Sequence, residues 1–120
     1  MKLFFENITE DIKVPMDFPL EAVLEQALDV FEQLPEDDGS TFGIVTEKEV
    51  TVQFRKYNQF MWLIEIPDVP KHGVHQAICN RNQCIRIIED LFSGADALTV
   101  TQFKFQSYLW FLIFELELKH

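Results

Sequence analysis

Four side chains that zinc favours fall close together in the second half of the chain: His72, His75, Cys79 and Cys84, spaced H-x2-H-x3-C-x4-C. Imidazole and thiolate together can close a four-coordinate structural site. The spacing matches no standard zinc module, and a cysteine inside a helix usually faces the core as a small hydrophobe. The expectation is therefore no metal, with these four as the candidates if there is one. His75, four residues before Cys79, is the one base placed to activate a thiol, and only if the two side chains converge. A 79–84 disulfide would fit if the two flank a turn, but two cysteines without an export signal point to a reducing, cytoplasmic setting.

Other chemistry is thinner. Ser40, Ser93 and Ser107 fall at turns or segment ends, without a nucleophile elbow. Glu36, Asp37 and Asp38 adjoin Gly39-Ser40 and read as solvated turn acids; a calcium loop would need further oxygen ligands at alternating positions. Glu65 stands inside the apolar run Met61–Ile66, near Thr51 and Arg55, where pairing outweighs a general-base role. Four widely separated glycines make no phosphate cradle. These patterns predict neither a catalytic residue nor a cofactor, and a protein that is not an enzyme.

The stretch Thr41–Pro67 must position whatever the chain presents. Val50, Val52 and Phe54 alternate with Thr51, Gln53 and Arg55, and Trp62, Ile64 and Ile66 alternate with Met61, Leu63 and Glu65. This period of two predicts three antiparallel strands. Three-residue loops at Glu47–Glu49 and Tyr57–Gln59 would set Phe42 opposite Phe54, Ile44 opposite Val52, Phe54 opposite Trp62, Val52 opposite Ile64 and Val50 opposite Ile66. One face is then wholly apolar, whereas a one-residue slip would mix the faces. The other face keeps Val45, Met61 and Leu63 beside Thr51, Gln53, Arg55 and Glu65, which suits partial cover or a partner contact.

Around this sheet, Lys2–Glu6 reads as an edge strand and Asn7–Met16 as a polar connection. Asp17 is placed to cap a helix with Pro19 in its first turn. Leu20, Val23, Leu24, Ala27, Leu28, Phe31 and Leu34 recur at helical spacing, with Glu21, Glu25, Asp29 and Glu32 on the outer side. Val74–Cys79 reads as a further strand in preference to a helix start. Asn80-Arg81-Asn82 then turns into a helix on Cys84/Ile85, Ile88 and Leu91/Phe92, closed by Gly94. Ala97–His120 is read as a long bent final strand, with an apolar helix as its competitor. The expected fold class is α+β in one domain, 1–120: an antiparallel sheet of about four to five strands packed by two amphipathic helices.

Charge narrows the partners. Residues 1–49 hold thirteen acids and three bases, a difference equal to the whole net charge of −10. Such a field repels phosphate backbones, which argues against nucleic acid, and would steer a basic protein; acidic bias also simply aids solubility. The longest apolar run, Tyr108–Phe114, is too short to cross a bilayer, so no membrane span is expected.

The stretches Asp37–Val45, Val50–Phe54, Met61–Ile66 and Ile85–Gly94 together resemble small immunity proteins of bacterial polymorphic-toxin systems, across residues 36–94. The resemblance implies a cytoplasmic single-domain inhibitor that occludes a toxin's active site, and brings no catalytic residues with it. In this chain the expected contact residues are Glu21, Glu25, Asp29, Glu32, Glu36, Asp37 and Asp38 as an anionic surface that mimics a substrate. Arg55, Met61, Leu63 and Glu65 would serve as the desolvated anchor. The alternative is an acidic, homodimeric, secretion-chaperone-like protein that binds an extended client.

Overall fold

The computed structural model describes residues 1–35 and 39–108. Among the described residues eight strands form one antiparallel sheet: β1 (Lys2–Asn7), β2 (Ile12–Val14), β3 (Leu20–Glu21), β4 (Thr41–Val45), β5 (Thr51–Lys56), β6 (Met61–Asp68), β7 (Gly73–Asn80) and β8 (Lys104–Ser107). Their order is β2-β1-β4-β5-β6-β7-β8, with β3 also beside β1. The α-helices among the described residues, α1 (Leu24–Gln33) and α2 (Arg81–Phe92), make the architecture α+β. The sheet is larger than the four or five strands read from the sequence.

The central hairpins show how the alternation works and where it is blind. Phe42 pairs with Phe54 and Ile44 with Val52, as expected, across a three-residue loop in which Glu49 takes the left-handed φ of 63°. The next connection also has three residues, Asn58–Phe60, one position later than the Tyr57–Gln59 loop expected, and the Tyr57 N–H bonds the Met61 carbonyl across it. Phe54 faces Ile64, not Trp62, and Lys56 faces Trp62. The Asn58 side chain accepts the Phe60 and Met61 N–H groups and fixes that turn. A slip of two keeps every side chain on its face, so the core pattern cannot distinguish the two registers.

Phe42, Ile44, Val52, Phe54, Trp62, Ile64, Ile66 and Cys79 cover the helix side of the sheet. Ala27 and Phe31 of α1, with Leu34 just past its end, and Cys84, Ile87, Ile88 and Leu91 of α2 pack onto them. Phe31 is fully buried, its ring 4.9 Å from Trp62, 5.6 Å from Phe42 and 6.0 Å from Phe54. Neither helix reaches the other face. There Phe4 lies across Gly43, where any Cβ would collide with its ring.

Three readings of the N-terminal third need correction. Lys2–Glu6 lies inside the sheet, because β1 has β4 on one side and β2 and β3 on the other. The connection Asn7–Met16 contains β2, folded back on β1 through a turn whose Asp11 has φ 55°. The first helix starts at Leu24 and not beside Asp17. Leu20 and Glu21 pair with Leu3 and Lys2, and the Ala22 N–H donates to the Met1 carbonyl. Those backbone groups, bonded to β1, are the ones a first helical turn would need. Gln26 then accepts the Val23 N–H to begin α1, and Pro35 follows its end.

The second helix follows its capping signals. Asn80 accepts the Gln83 N–H while Gln83 accepts the Asn80 N–H. At the far end Gly94, φ 93°, closes a Schellman turn, with Ala95 N–H on the Asp90 carbonyl and Gly94 N–H on that of Leu91. The final segment does not start as a strand: Ala97–Thr99 is a 3-10 turn, and strand begins only at Lys104. The rest of that prediction, 109–120, lies outside the described residues.

Candidate functional site

The histidine and cysteine candidates go to three places. His72 closes the 3-10 turn Val69–Lys71 with a left-handed φ of 53°. His75, on β7, sets its Nε2 2.8 Å from Asp68 Oδ2, while its ring lies 5.1 Å from that of Phe105 on β8. Asp68 also accepts the Lys71 N–H. The hydrogen bond from His75 holds the Asp68 carboxyl below its usual range, against the opposing effect of desolvation. Cys79 and Cys84 are buried and free. They stand just before the Asn80 cap and four residues into α2, the positions of a hydrophobic staple. Burial pushes the Cys79 thiol up and the Cys84 thiol up to about 12, so both are protonated, inert side chains. Among the described residues no three His, Cys, Asp or Glu side chains are grouped to hold a metal ion.

Ser107 ends β8 opposite Gly73, and the other two serines serve the scaffold. Ser40 Oγ accepts the Ile8 N–H, and Ser93 Oγ donates to the Glu89 carbonyl at the end of α2. Glu65 has both carboxylate oxygens engaged: Arg55 Nε lies 2.7 Å from one, and Gln76 Nε2 donates to the other at 2.9 Å. It is thus a paired acid spanning β5, β6 and β7 on the face without helices. Leu63 stands beside it, opposite Ile78 of β7, and Met61 stands opposite Asn80.

The acids expected to contact a partner divide. Glu25, Asp29 and Glu32 form one exposed stripe on α1. Within it Asp29 accepts a hydrogen bond from Gln33, and among the described residues no cation pairs with any of the three. Glu21 belongs to β3 instead, opposite Lys2, with the Met1 amino group 3.5 Å away. Glu36, Asp37 and Asp38 lie outside the described residues. The larger consequence concerns the anchor. Arg55, Met61, Leu63 and Glu65 occupy the face of the sheet opposite α1, so one flat partner cannot touch both groups.

A feature that sequence reasoning assigned elsewhere lies at the β2–β3 margin. Ile8, Ile12, Met16, Phe18, Leu20 and Val23 are all about half exposed or more, Phe18 by 75% and Leu20 by 59%. Leu20 and Val23 had the spacing of the α1 core stripe, and their pairing with β1 and capping position leave them outside it. A signal was present: Ile12, Val14, Met16, Phe18 and Leu20 recur at every second position, a strand period interrupted by Pro15 and Pro19, beside Glu10, Asp11 and Asp17. Next to this margin, a hollow of about 390 Å³ is lined by Pro19, Glu21, Val45 and Glu49 among others.

Chemically, the described residues offer protonated thiols, a buried-edge His–Asp pair and a bridged carboxylate, each bonded into the framework, and two exposed surfaces able to bind. Comparison of the chain with protein-family models, curated proteins and solved structures finds no match.

Proposed function

We propose that this protein is a non-enzymatic inhibitor of the immunity type, which captures a basic protein partner, a toxin, and occludes its active site. The observation that carries the proposal is the stripe Glu25, Asp29 and Glu32, three exposed carboxylates on one helix with no cation paired to them among the described residues. Surface acids kept only for solubility are usually interspersed with bases; here the N-terminal 49 residues account for the whole charge of −10. An unneutralised stripe of this kind raises the encounter rate with a basic cleft, by about 10- to 1,000-fold at low salt. The contact lies on the α1 side of the molecule. Arg55, Met61, Leu63 and Glu65, across the sheet, play no part in it.

The test is charge reversal. The products of neighbouring genes are co-expressed with this protein, and any complex formed is followed by stopped flow at several salt concentrations. Glu25→Lys with Asp29→Lys should slow association by about tenfold or more at low salt and leave dissociation little changed. An association rate indifferent to both the substitutions and salt would remove the basis of the proposal.

A further inference from the structure

We propose that the margin of the sheet made by β2, β3 and the loop joining them is the apolar anchor for a basic partner segment in which Lys or Arg flank large apolar side chains. The proposal rests on the preceding one for the sign of the partner's charge, and adds where that partner is gripped.

The geometry makes the margin continuous. β2 and β3 lie end to end along the same edge of β1: Ile12, Val14 and Leu20 stand opposite Asn7, Phe5 and Leu3. Opposed residues share a face, so Ile12, Val14 and Leu20 form a row on the α1 side, about 7 Å from one to the next. Met16 and Phe18 project from the loop that bulges between the strands, where the Phe18 N–H bonds the Pro15 carbonyl. Val23, also exposed, follows β3 at the start of α1.

Area and charge then select the occupant. Ile12, Met16, Phe18, Leu20 and Val23, each half exposed or more, and the less exposed Val14 together present roughly 600 Å², at the top of what a monomer normally shows and close to the roughly 800 Å² per partner of a standard interface. Glu10, Asp11, Asp17 and Glu25 rim the row, all exposed. The one cation of β2, Lys13, points to the opposite face, where it lies 3.8 Å from Glu6. A second copy would bring the same acids against these, whereas a basic segment meets apolar surface at the centre and carboxylates at the rim. The margin engages side chains and not a strand. β2 is three residues long, between the left-handed Asp11 and Pro15, too short an edge to template another chain.

The probe is a synthetic peptide alternating Lys with Leu and Val. Its controls carry Ser at each apolar position, or Glu at each Lys. Binding is measured by calorimetry and mapped by amide NMR. The Lys-Leu-Val peptide should bind about tenfold more tightly than the Lys-Ser peptide and shift the amides of Ile12, Phe18, Leu20 and Val23. Phe18→Ser with Leu20→Ser should abolish that advantage while keeping the native circular dichroism. Equal binding of the two Lys peptides, lost in Glu25→Lys/Asp29→Lys, would overturn the anchor and leave the inhibitor proposal standing. Equal binding of the Glu peptide would overturn both. A concentration-dependent dimer in sedimentation, dissolved by the Phe18/Leu20 variant, would give the margin to a second copy and overturn the partner named here.

Discussion

Phe18 and Phe31 are the same side chain in opposite circumstances, and truncating each to alanine separates support from recognition. Phe31 is fully buried and touches the rings of Phe42, Phe54 and Trp62. Its removal loses the burial of a whole ring and leaves a cavity under α1, a cost of about 3–5 kcal/mol. A domain of this length has roughly 6–18 kcal/mol in total, so the variant still folds with a much reduced margin. With a urea dependence of about 2 kcal/mol/M, the unfolding midpoint should fall by about 2 M. Phe18 is 75% exposed and supports little, so Phe18→Ala should cost less than about 0.5 kcal/mol. Urea titration followed by far-UV circular dichroism reads both. A midpoint loss for Phe18→Ala approaching that for Phe31→Ala would mean that the β2–β3 margin is packed in solution. The reasoning that leaves it free for a partner would then be wrong.

Two further outcomes follow from the titratable groups. The Asp68 carboxyl is depressed by its bond with His75, so its contribution is present above the ordinary carboxylate range and is lost as pH falls through the lowered value. Below about pH 4 the wild type should therefore lose stability with falling pH more steeply than Asp68→Asn, and parallel profiles would refute this. With the Cys84 thiol pushed up to about 12, roughly one molecule in ten thousand holds its thiolate at pH 8. A disulfide reagent should then modify Cys79 and Cys84 only as fast as the protein opens, and at once in urea. Rapid modification of the native protein would show an accessible dithiol.

The parts of the fold visible in the sequence are those fixed by local chemistry. Asn80, Gln83 and Gly94 announce both ends of α2, and the Glu47–Glu49 loop with its flanking alternation gives the β4–β5 register. What stayed hidden depended on distant partners. Leu20 and Val23 keep perfect helical spacing with Ala27 and Phe31, yet Leu20 is claimed by Leu3 of β1, which no local pattern reports. β2 and β3 are three and two residues long, with Pro15 and Pro19 in the stretch that joins them, so the sheet was undercounted. At β5–β6 the slip of two was invisible because it preserves every face. The surface followed the same rule. The acids of α1 were legible as a stripe, but their separation from Arg55 and Leu63 by the thickness of the sheet required the topology. The apolar margin required knowing which apolar residues the core does not use.

The strand order also divides the chain by how far each pairing must reach. From β4 to β7 every strand pairs with its neighbour in sequence, closing loops of a few residues, whereas β1 must wait for β4: Leu3 meets Ile44. Closing that longer loop costs more chain entropy before any contact is gained. The meander can thus assemble first, with the N-terminal strands and α1 docking onto a finished platform. The acid stripe and the apolar margin belong to the part fastened last and over the longest reach. As the polypeptide is made, the acid stripe and the apolar margin emerge before β4 and take their place on the sheet only once β4 exists.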